Sequence, residues 1–201
     1  DNPFFSPDGD GKRDYLPVNQ TGATEEVLWT SAILDADQSP VRSFVWPRRV
    51  QSFAWDGSDE DGNVLSDGTY SYLIESTDQA GNRFQHILAG ITLDTRETPV
   101  SLRISGPSFS PNGDGVIDTI TITPQLEVSE NVASWELSII DDSDATVLKL
   151  AGSDSPDATE FDGESPAGGV LPEGEYRAEM SILYRNGSNP STRSGVFSLD
   201  V

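Results

Sequence analysis

The chain has 201 residues, 35% of them hydrophobic, and carries 34 acidic against 12 basic residues, a formal net charge of −22. That charge argues against a nucleic-acid partner, because phosphate contacts need clustered Lys and Arg, and against an anionic membrane surface. The absence of cysteine excludes disulfides, thiolate metal sites and Cys nucleophiles. No apolar run is long enough to predict membrane insertion. The excess carboxylate suits divalent cations or a strongly hydrated surface.

Short alternating runs separated by turns follow one another along the chain. Alternation that predicts half-buried strands occupies, in chain order, residues 70–75, 100–104, 119–123, 135–139 and 176–182. Glycine-containing turn signals stand between such runs, as at residues 61–63, 80–82 and 186–187. No segment shows a sustained helical stripe. The sequence therefore predicts an all-β fold of two tandem immunoglobulin-like or fibronectin-III-like antiparallel β-sandwiches.

An internal repeat predicts the division into domains. The segment FSPDGDG at residues 5–11 recurs as FSPNGDG at residues 109–115, and five further landmarks recur in the same order. We expect one sandwich over residues 1–96 and another over residues 97–201. The second has a leading strand, residues 100–104, before its acidic loop. We expect an upstream neighbour to supply the matching strand of the first.

The landmarks of the first half resemble a known module. Residues 55–59 (WDGSD), 65–70 (LSDGTY) and 78–82 (DQAGN) resemble the immunoglobulin-like domain of flagellar hook-capping proteins. The acidic opening is similar to the start of modules in bacterial surface proteins, and of fibronectin-like domains in cell-envelope subtilisin-type proteases. The resemblance implies a spacer, scaffold or adhesive module of a larger bacterial protein, secreted or at the cell surface or in the periplasm. Its partners would be neighbouring immunoglobulin-like domains; no ligand is implied.

Both acidic loops place oxygen ligands at alternate positions, as calcium loops do, and calcium takes roughly six to eight oxygens. In the first domain the candidate ligands are Ser6, Asp8, Asp10, the carbonyl of Lys12, and Asp14. In the second they are Ser110, Asn112, Asp114, the carbonyl of Val116, and Asp118. Pro17 and Thr121 stand where an EF-hand has its bidentate Glu, so neither loop is an EF-hand. We expect one structural calcium per domain, completed by water or another strand.

A metal-free alternative stays open for these loops. Asp-Gly and Asn-Gly pairs also form Asx-turns, in which the side chain accepts hydrogen bonds from nearby backbone amides. A second acidic cluster has the same spacing, but it is interpreted as a hairpin turn because the second domain does not repeat it. Its members are Asp56, Asp59, Asp61 and Asn63.

No catalytic constellation is recognisable, so the chain is predicted to be non-enzymatic. The one histidine, His86, lies in an apolar-flanked run without a Gly-x-Ser-x-Gly elbow. Trp29 and Trp135 occupy matching positions and are expected in the core, whereas Trp46 and Trp55 are candidates for exposed platforms that stack on sugar rings.

We therefore expect a monomeric structural segment. The alternatives are an adhesive or carbohydrate-binding pair, whose external partner would be an extracellular protein or a polysaccharide, and accessory domains of a cell-envelope protease or a flagellar hook assembly protein.

Overall fold

The computed structural model describes residues 3–21 and 28–200. Every regular element within these ranges is a β-strand, which confirms the predicted all-β class. No helix there has the length and apolarity that crossing a membrane would require. The chain divides into two compact units, Asp1–Arg96 and Glu97–Val201, and each is described by itself.

The described residues of the first domain form seven strands in two sheets. They are β1 (Phe4–Phe5), β2 (Leu16–Val18), β3 (Leu28–Leu34), β4 (Pro40–Pro47), β5 (Phe53–Trp55), β6 (Gly68–Thr77) and β7 (Arg83–Leu93). One sheet has the order β1-β7-β6-β3-β4, and the other pairs β2 with β5. All pairings are antiparallel except that of β1 with β7, which is parallel.

The core of the first domain follows from strand alternation. Along β6 the residues Tyr70, Tyr72 and Ile74 are buried at every second position, because successive side chains of a strand point to opposite faces. Phe5 and Trp55 are 1% and 0% exposed, and their rings lie 5.2 Å apart. The acidic loop therefore starts directly after a fully buried aromatic anchor.

Between residues 97 and 200 the second domain forms nine strands. They are β8 (Val100–Ile104), β9 (Ser108–Phe109), β10 (Ile120–Leu126), β11 (Val132–Asp141), β12 (Thr146–Gly152), β13 (Thr159–Phe161), β14 (Gly174–Tyr184), β15 (Ser191–Arg193) and β16 (Phe197–Leu199). One sheet has the order β12-β11-β14-β16-β9, with β15 also paired to β14, and the other has the order β13-β10-β8.

The two domains share local hydrogen bonds as well as strand order. The Tyr70 hydroxyl donates to the Ser66 carbonyl at 2.6 Å, and the Tyr176 hydroxyl donates to the Pro172 carbonyl at 2.6 Å. A tyrosine bonded back to the backbone four residues earlier is the corner typical of immunoglobulin-like sandwiches. The repeat in the sequence is thus also a repeat of tertiary contacts.

The second sheet differs between the domains. In the second domain β10 lies between β13 and β8. In the first, β2 pairs with β5, and no strand in the described part of the chain pairs with its other edge.

The expected exposure of two tryptophans is wrong. Trp46 is 8% and Trp55 0% exposed, because aromatic neighbours cover both. The Trp46 ring stacks on Phe44 at 5.5 Å, and the Trp55 indole N–H donates to the Ser58 carbonyl at 2.9 Å. Trp29 is buried as expected, whereas Trp135 is only partly buried at the edge of its core. The described tryptophans therefore offer no exposed sugar platform in the first domain.

Candidate metal centre

The acidic loop joins β1 to β2 and so connects the two sheets of the first domain. The backbone of Gly9, Gly11 and Arg13 is left-handed, with φ of 82°, 84° and 54°. The second loop repeats this pattern with 77°, 82° and 54° at residues 113, 115 and 117. Glycine accepts this conformation without strain, but Arg13 and the β-branched Ile117 do not, so the surrounding contacts must hold them there.

The alternating conformation turns successive backbone amides towards one carboxylate. The amides of Gly9 and Gly11 donate to Asp14 Oδ1 and Oδ2 at 2.9 and 3.0 Å. The second loop repeats both bonds, at 2.9 and 2.8 Å, from residues 113 and 115 to Asp118. A pair of amides arranged in this way is an anion-binding nest, and the anion it binds is an aspartate of the same loop.

The other two carboxylates form Asx-turns. Asp8 Oδ1 accepts the amide of Asp10 at 3.0 Å, and Asp10 Oδ1 accepts the amide of Lys12 at 2.7 Å. The hydroxyl of Ser6, a residue only 2% exposed, donates to Asp8 Oδ2 at 3.0 Å. Asn112 and Asp114 accept the corresponding amides in the second loop.

The first loop brings three of its predicted ligands together. Asp8, Asp10 and Asp14 each have a carboxylate oxygen within 4.8 Å of the others. A carboxylate oxygen that accepts one amide keeps a further lone pair, so these oxygens and the Ser6 hydroxyl fit the hard-oxygen preference of calcium. The Lys12 ammonium lies 3.9 Å from Asp10 Oδ2 and partly offsets the charge there. The Lys12 carbonyl as a ligand stays a prediction.

The second loop is poorer in charge. Asn112 replaces a carboxylate, so only Asp114 and Asp118 are ionisable among its predicted ligands. Ser110 is close to the Asn112 amide nitrogen, at 3.5 Å, and the Val116 carbonyl stays a predicted ligand. With fewer charges, this loop should bind a divalent cation more weakly than the first.

The second acidic cluster has the contacts of a turn. Asp59 Oδ1 accepts the amides of Asp61 and Asn63, both at 2.9 Å, and the bonds from Asn63 lower the pKa of Asp59. Asp56 forms an ion pair with Arg42 at 2.8 Å. The carboxylate of Asp59 holds the turn in the segment between β5 and β6, and that of Asp56 ties the same segment to Arg42 of β4.

Sequence reasoning missed the contact that ties the loop to the core. A Cβ on Gly57 would lie 2.8 Å from Leu93 Cδ1 and 2.9 Å from Pro7 Cγ, so the loop proline packs directly on this glycine. Gly163 meets its own leucine and proline in the same way. Two patterns that recur in both domains could have indicated this contact. One is Ser-Pro at residues 6–7 and 110–111, and the other is an aromatic residue followed by Asp-Gly at residues 55–57 and 161–163.

His86 lies exposed on β7, opposite Ile74 of β6. It does not lie among the acidic residues of either loop, and its surroundings are the apolar groove described below.

Comparison with known families gives an independent classification of the first domain. Residues 9–80 match the FlgD Ig-like domain family. The match begins inside the acidic loop and runs through the WDG and DGTY landmarks to the turn after β6. The first domain is a bacterial immunoglobulin-like domain. The second domain repeats its strand order, loop backbone and tyrosine corner.

Curated relatives of this immunoglobulin-like tandem include a large peptidase. C5a peptidase of Streptococcus pyogenes is 30% identical over 115 residues, which cover 48% of this chain and 10% of the relative. The form from a serotype M3 strain is 29% identical over 108 residues. The match thus spans only about a tenth of the length of these relatives.

Several solved structures are also similar to this chain. The tetra-tandem repeat from the extending region of a large adhesion protein is 19% identical, with a TM-score of 0.40, covering 91% of this chain and 43% of that one. The fibronectin(III)-like modules of Clostridium thermocellum CbhA are 10% identical, with a TM-score of 0.43, covering 96% and 87%. Latent PorU from Porphyromonas gingivalis is 13% identical, with a TM-score of 0.41, covering 90% and 17%. At these values no ligand or partner carries over to this chain.

Proposed function

We propose that this chain is a non-catalytic structural tandem of a larger bacterial protein, secreted or at the cell surface, in which calcium stiffens the acidic loop of each domain. The observation that carries the proposal is the convergence of Asp8, Asp10 and Asp14 within 4.8 Å, beside the buried Ser6. Three carboxylates at that distance repel one another, and a divalent cation removes the repulsion.

The position of the loop explains how an ion would act on the whole domain. The loop leaves β1, which belongs to the larger sheet, and enters β2 of the smaller sheet. The amide of Ser6 donates to the carbonyl of Arg13 at 3.0 Å and closes the loop at its base. An ion that binds only this folded loop stabilises the sandwich by mass action, by about 2.7 kcal/mol when free calcium is 100 times Kd.

Thermal unfolding of the full chain, with excess calcium and with chelator, tests this role. We expect calcium to raise the melting temperature of the parent. Asp10→Ala should remove the rise for the first domain, and Asp114→Ala for the second. Asp61→Ala is the matched control, because it removes an exposed carboxylate of a hairpin turn, and it should keep the full response. Identical melting of the parent and both loop variants, with and without calcium, would contradict the proposal.

An accessory segment of a cell-envelope protease is the more specific candidate, favoured by the 30% identity to C5a peptidase. The domains that flank this chain in the full-length polypeptide distinguish this candidate from an adhesive role. A protease domain in the same polypeptide supports the candidate, whereas a long array of similar repeats supports an adhesive stalk.

A further inference from the structure

The first domain has an open apolar groove of about 690 Å³. One wall is formed by residues 17–21, which are the end of β2 and the stretch after it. The opposite wall is the face of β7 that carries Phe84, His86 and Leu88. Phe84 and Leu88 are 49% and 39% exposed, and this part of β7 is a sheet edge in the described residues, because β1 pairs only with Thr92 and Leu93.

In the second domain the corresponding place is filled by β8. This strand pairs antiparallel with β10, placing Ile104 opposite Ile122 and Leu102 opposite Pro124. It also contacts β15. Its alternate residues Val100, Leu102 and Ile104 pack against the core, so β8 completes both the sheet and the apolar interior.

The walls of the groove correspond to the two strands that hold β8. In the first domain Val18 of β2 pairs with Phe53 of β5. In the second domain Ile122 of β10 pairs with Thr159 of β13, so β2 and β10 occupy equivalent positions. His86 pairs with Ile74 of β6, and the matching strand β14 pairs its Met180 with Thr192 of β15. In the first domain β7 therefore occupies the position that β15 occupies in the second domain.

We propose that the groove of the first domain is the seat of an extended polypeptide strand with apolar residues at alternate positions, as in β8. One wall of the groove is the edge of β2, whose backbone can pair with an added strand, and the other is an apolar face that its side chains would cover. A compact ligand would leave the backbone edge unused. This proposal concerns strand pairing and does not depend on calcium.

A graft of β8 onto the full chain tests the proposal. Residues 105–107 separate β8 from β9, and three residues likewise precede β1, so residues 100–104 placed directly before Asp1 keep the native spacing. We expect the graft to raise the melting temperature of the first domain and to slow amide exchange at residues 18–21 by about tenfold or more. The control graft carries Ser in place of its Val, Leu and Ile, with the same length and charge.

Two variants localise the effect. Leu88→Asp, inside the groove, should abolish the gain from the graft, whereas Val45→Asp, on β4 and 63% exposed against 39% for Leu88, should leave it. Equal behaviour of the apolar and serine grafts would overturn the proposal. So would a parent chain that already protects residues 18–21 by self-association at high concentration, because a second copy would then fill the groove. Neither result bears on the calcium response, which is measured on the ungrafted chain.

Discussion

At the scale of single residues, the acidic loop gives Asp14 a different task from Asp8 and Asp10. Asp14 accepts the amides of Gly9 and Gly11, one with each carboxylate oxygen, and this contribution to the shape of the loop needs no ion. Asp10 accepts one amide with Oδ1, and its Oδ2 lies 3.9 Å from the Lys12 ammonium. The loop thus combines the two interpretations of its sequence, since Asx-turns and an amide nest set the carboxylates in place for an ion.

Asp14→Asn separates loop shape from calcium binding. An Asn can accept only one of the two amide bonds and lacks the charge that strengthens them. We expect a loss of about 1–2 kcal/mol from the free energy of unfolding of the first domain even in chelator. Asp10→Ala should show its larger effect only when calcium is present. Urea denaturation of both variants in chelator measures this; equal stability of Asp14→Asn and the parent would argue against the nest.

Gly57→Ala tests the anchoring of the loop on the core. The new methyl group would meet Leu93 and Pro7 at 2.8 and 2.9 Å, in a backbone with φ of 75°. We expect a loss of about 1–3 kcal/mol, from overpacking together with backbone strain. Gly62→Ala is the control, because its φ is 82° but nothing lies within 4 Å of the added Cβ. Denaturant unfolding that shows the same loss for both variants would remove the packing explanation.

At the scale of elements, aspartates at the start of turns hold neighbouring strands in register. Asp141 is the last residue of β11, and its Oδ1 accepts hydrogen bonds from the Ser143 hydroxyl at 2.7 Å and the Ala145 amide at 2.9 Å. These hydrogen bonds hold the pKa of Asp141 below its usual range. Asn82 lowers the pKa of Asp78 in the same way between β6 and β7.

These turns predict a loss of stability in acid. A carboxyl whose pKa is lower in the folded state stabilises the fold above its unfolded pKa of about 3.9, and that contribution disappears as the pH falls through the folded value. Asp141→Asn keeps an acceptor but no longer titrates, so its free energy of unfolding should fall less between about pH 5 and about pH 2. Denaturant unfolding across that range checks this; an unchanged slope would show that the turn does not contribute.

Strands with clear alternation of apolar and polar residues could be predicted from the sequence, whereas the two-residue strands could not. The alternating run at residues 70–75 predicts the centre of β6, because burial on one face dictates the pattern. The two-residue strands β1 and β9 leave no such pattern, since their pairing is set by tertiary contacts. The left-handed backbone of Arg13 could not be predicted from the sequence either, because local propensity disfavours that conformation and only the closed loop imposes it. Likewise Trp46 stacks on Phe44 of its own strand and lies 6.0 Å from Phe53 of β5, and this contact between strands of different sheets does not follow from the sequence alone.

At the scale of the whole molecule, a formal charge of −22 sets the conditions under which any ion binds. Diffuse attraction of cations to such a chain weakens with ionic strength, whereas coordination inside a loop is less sensitive to screening. The sequence predicted two loops of similar chemistry, and the described backbone repeats from one to the other. The difference in charge between Asp8 and Asn112 then implies two sites of unequal affinity.

Calcium stoichiometry at constant, high ionic strength tests this account most directly. Isothermal titration of the full chain should show two sites, the weaker assigned to the second loop. Asp10→Ala should remove the tighter site and Asp114→Ala the weaker one, while Asp61→Ala keeps both. Binding that vanishes with added salt, or that survives unchanged in both loop variants, would contradict a calcium ion in each domain.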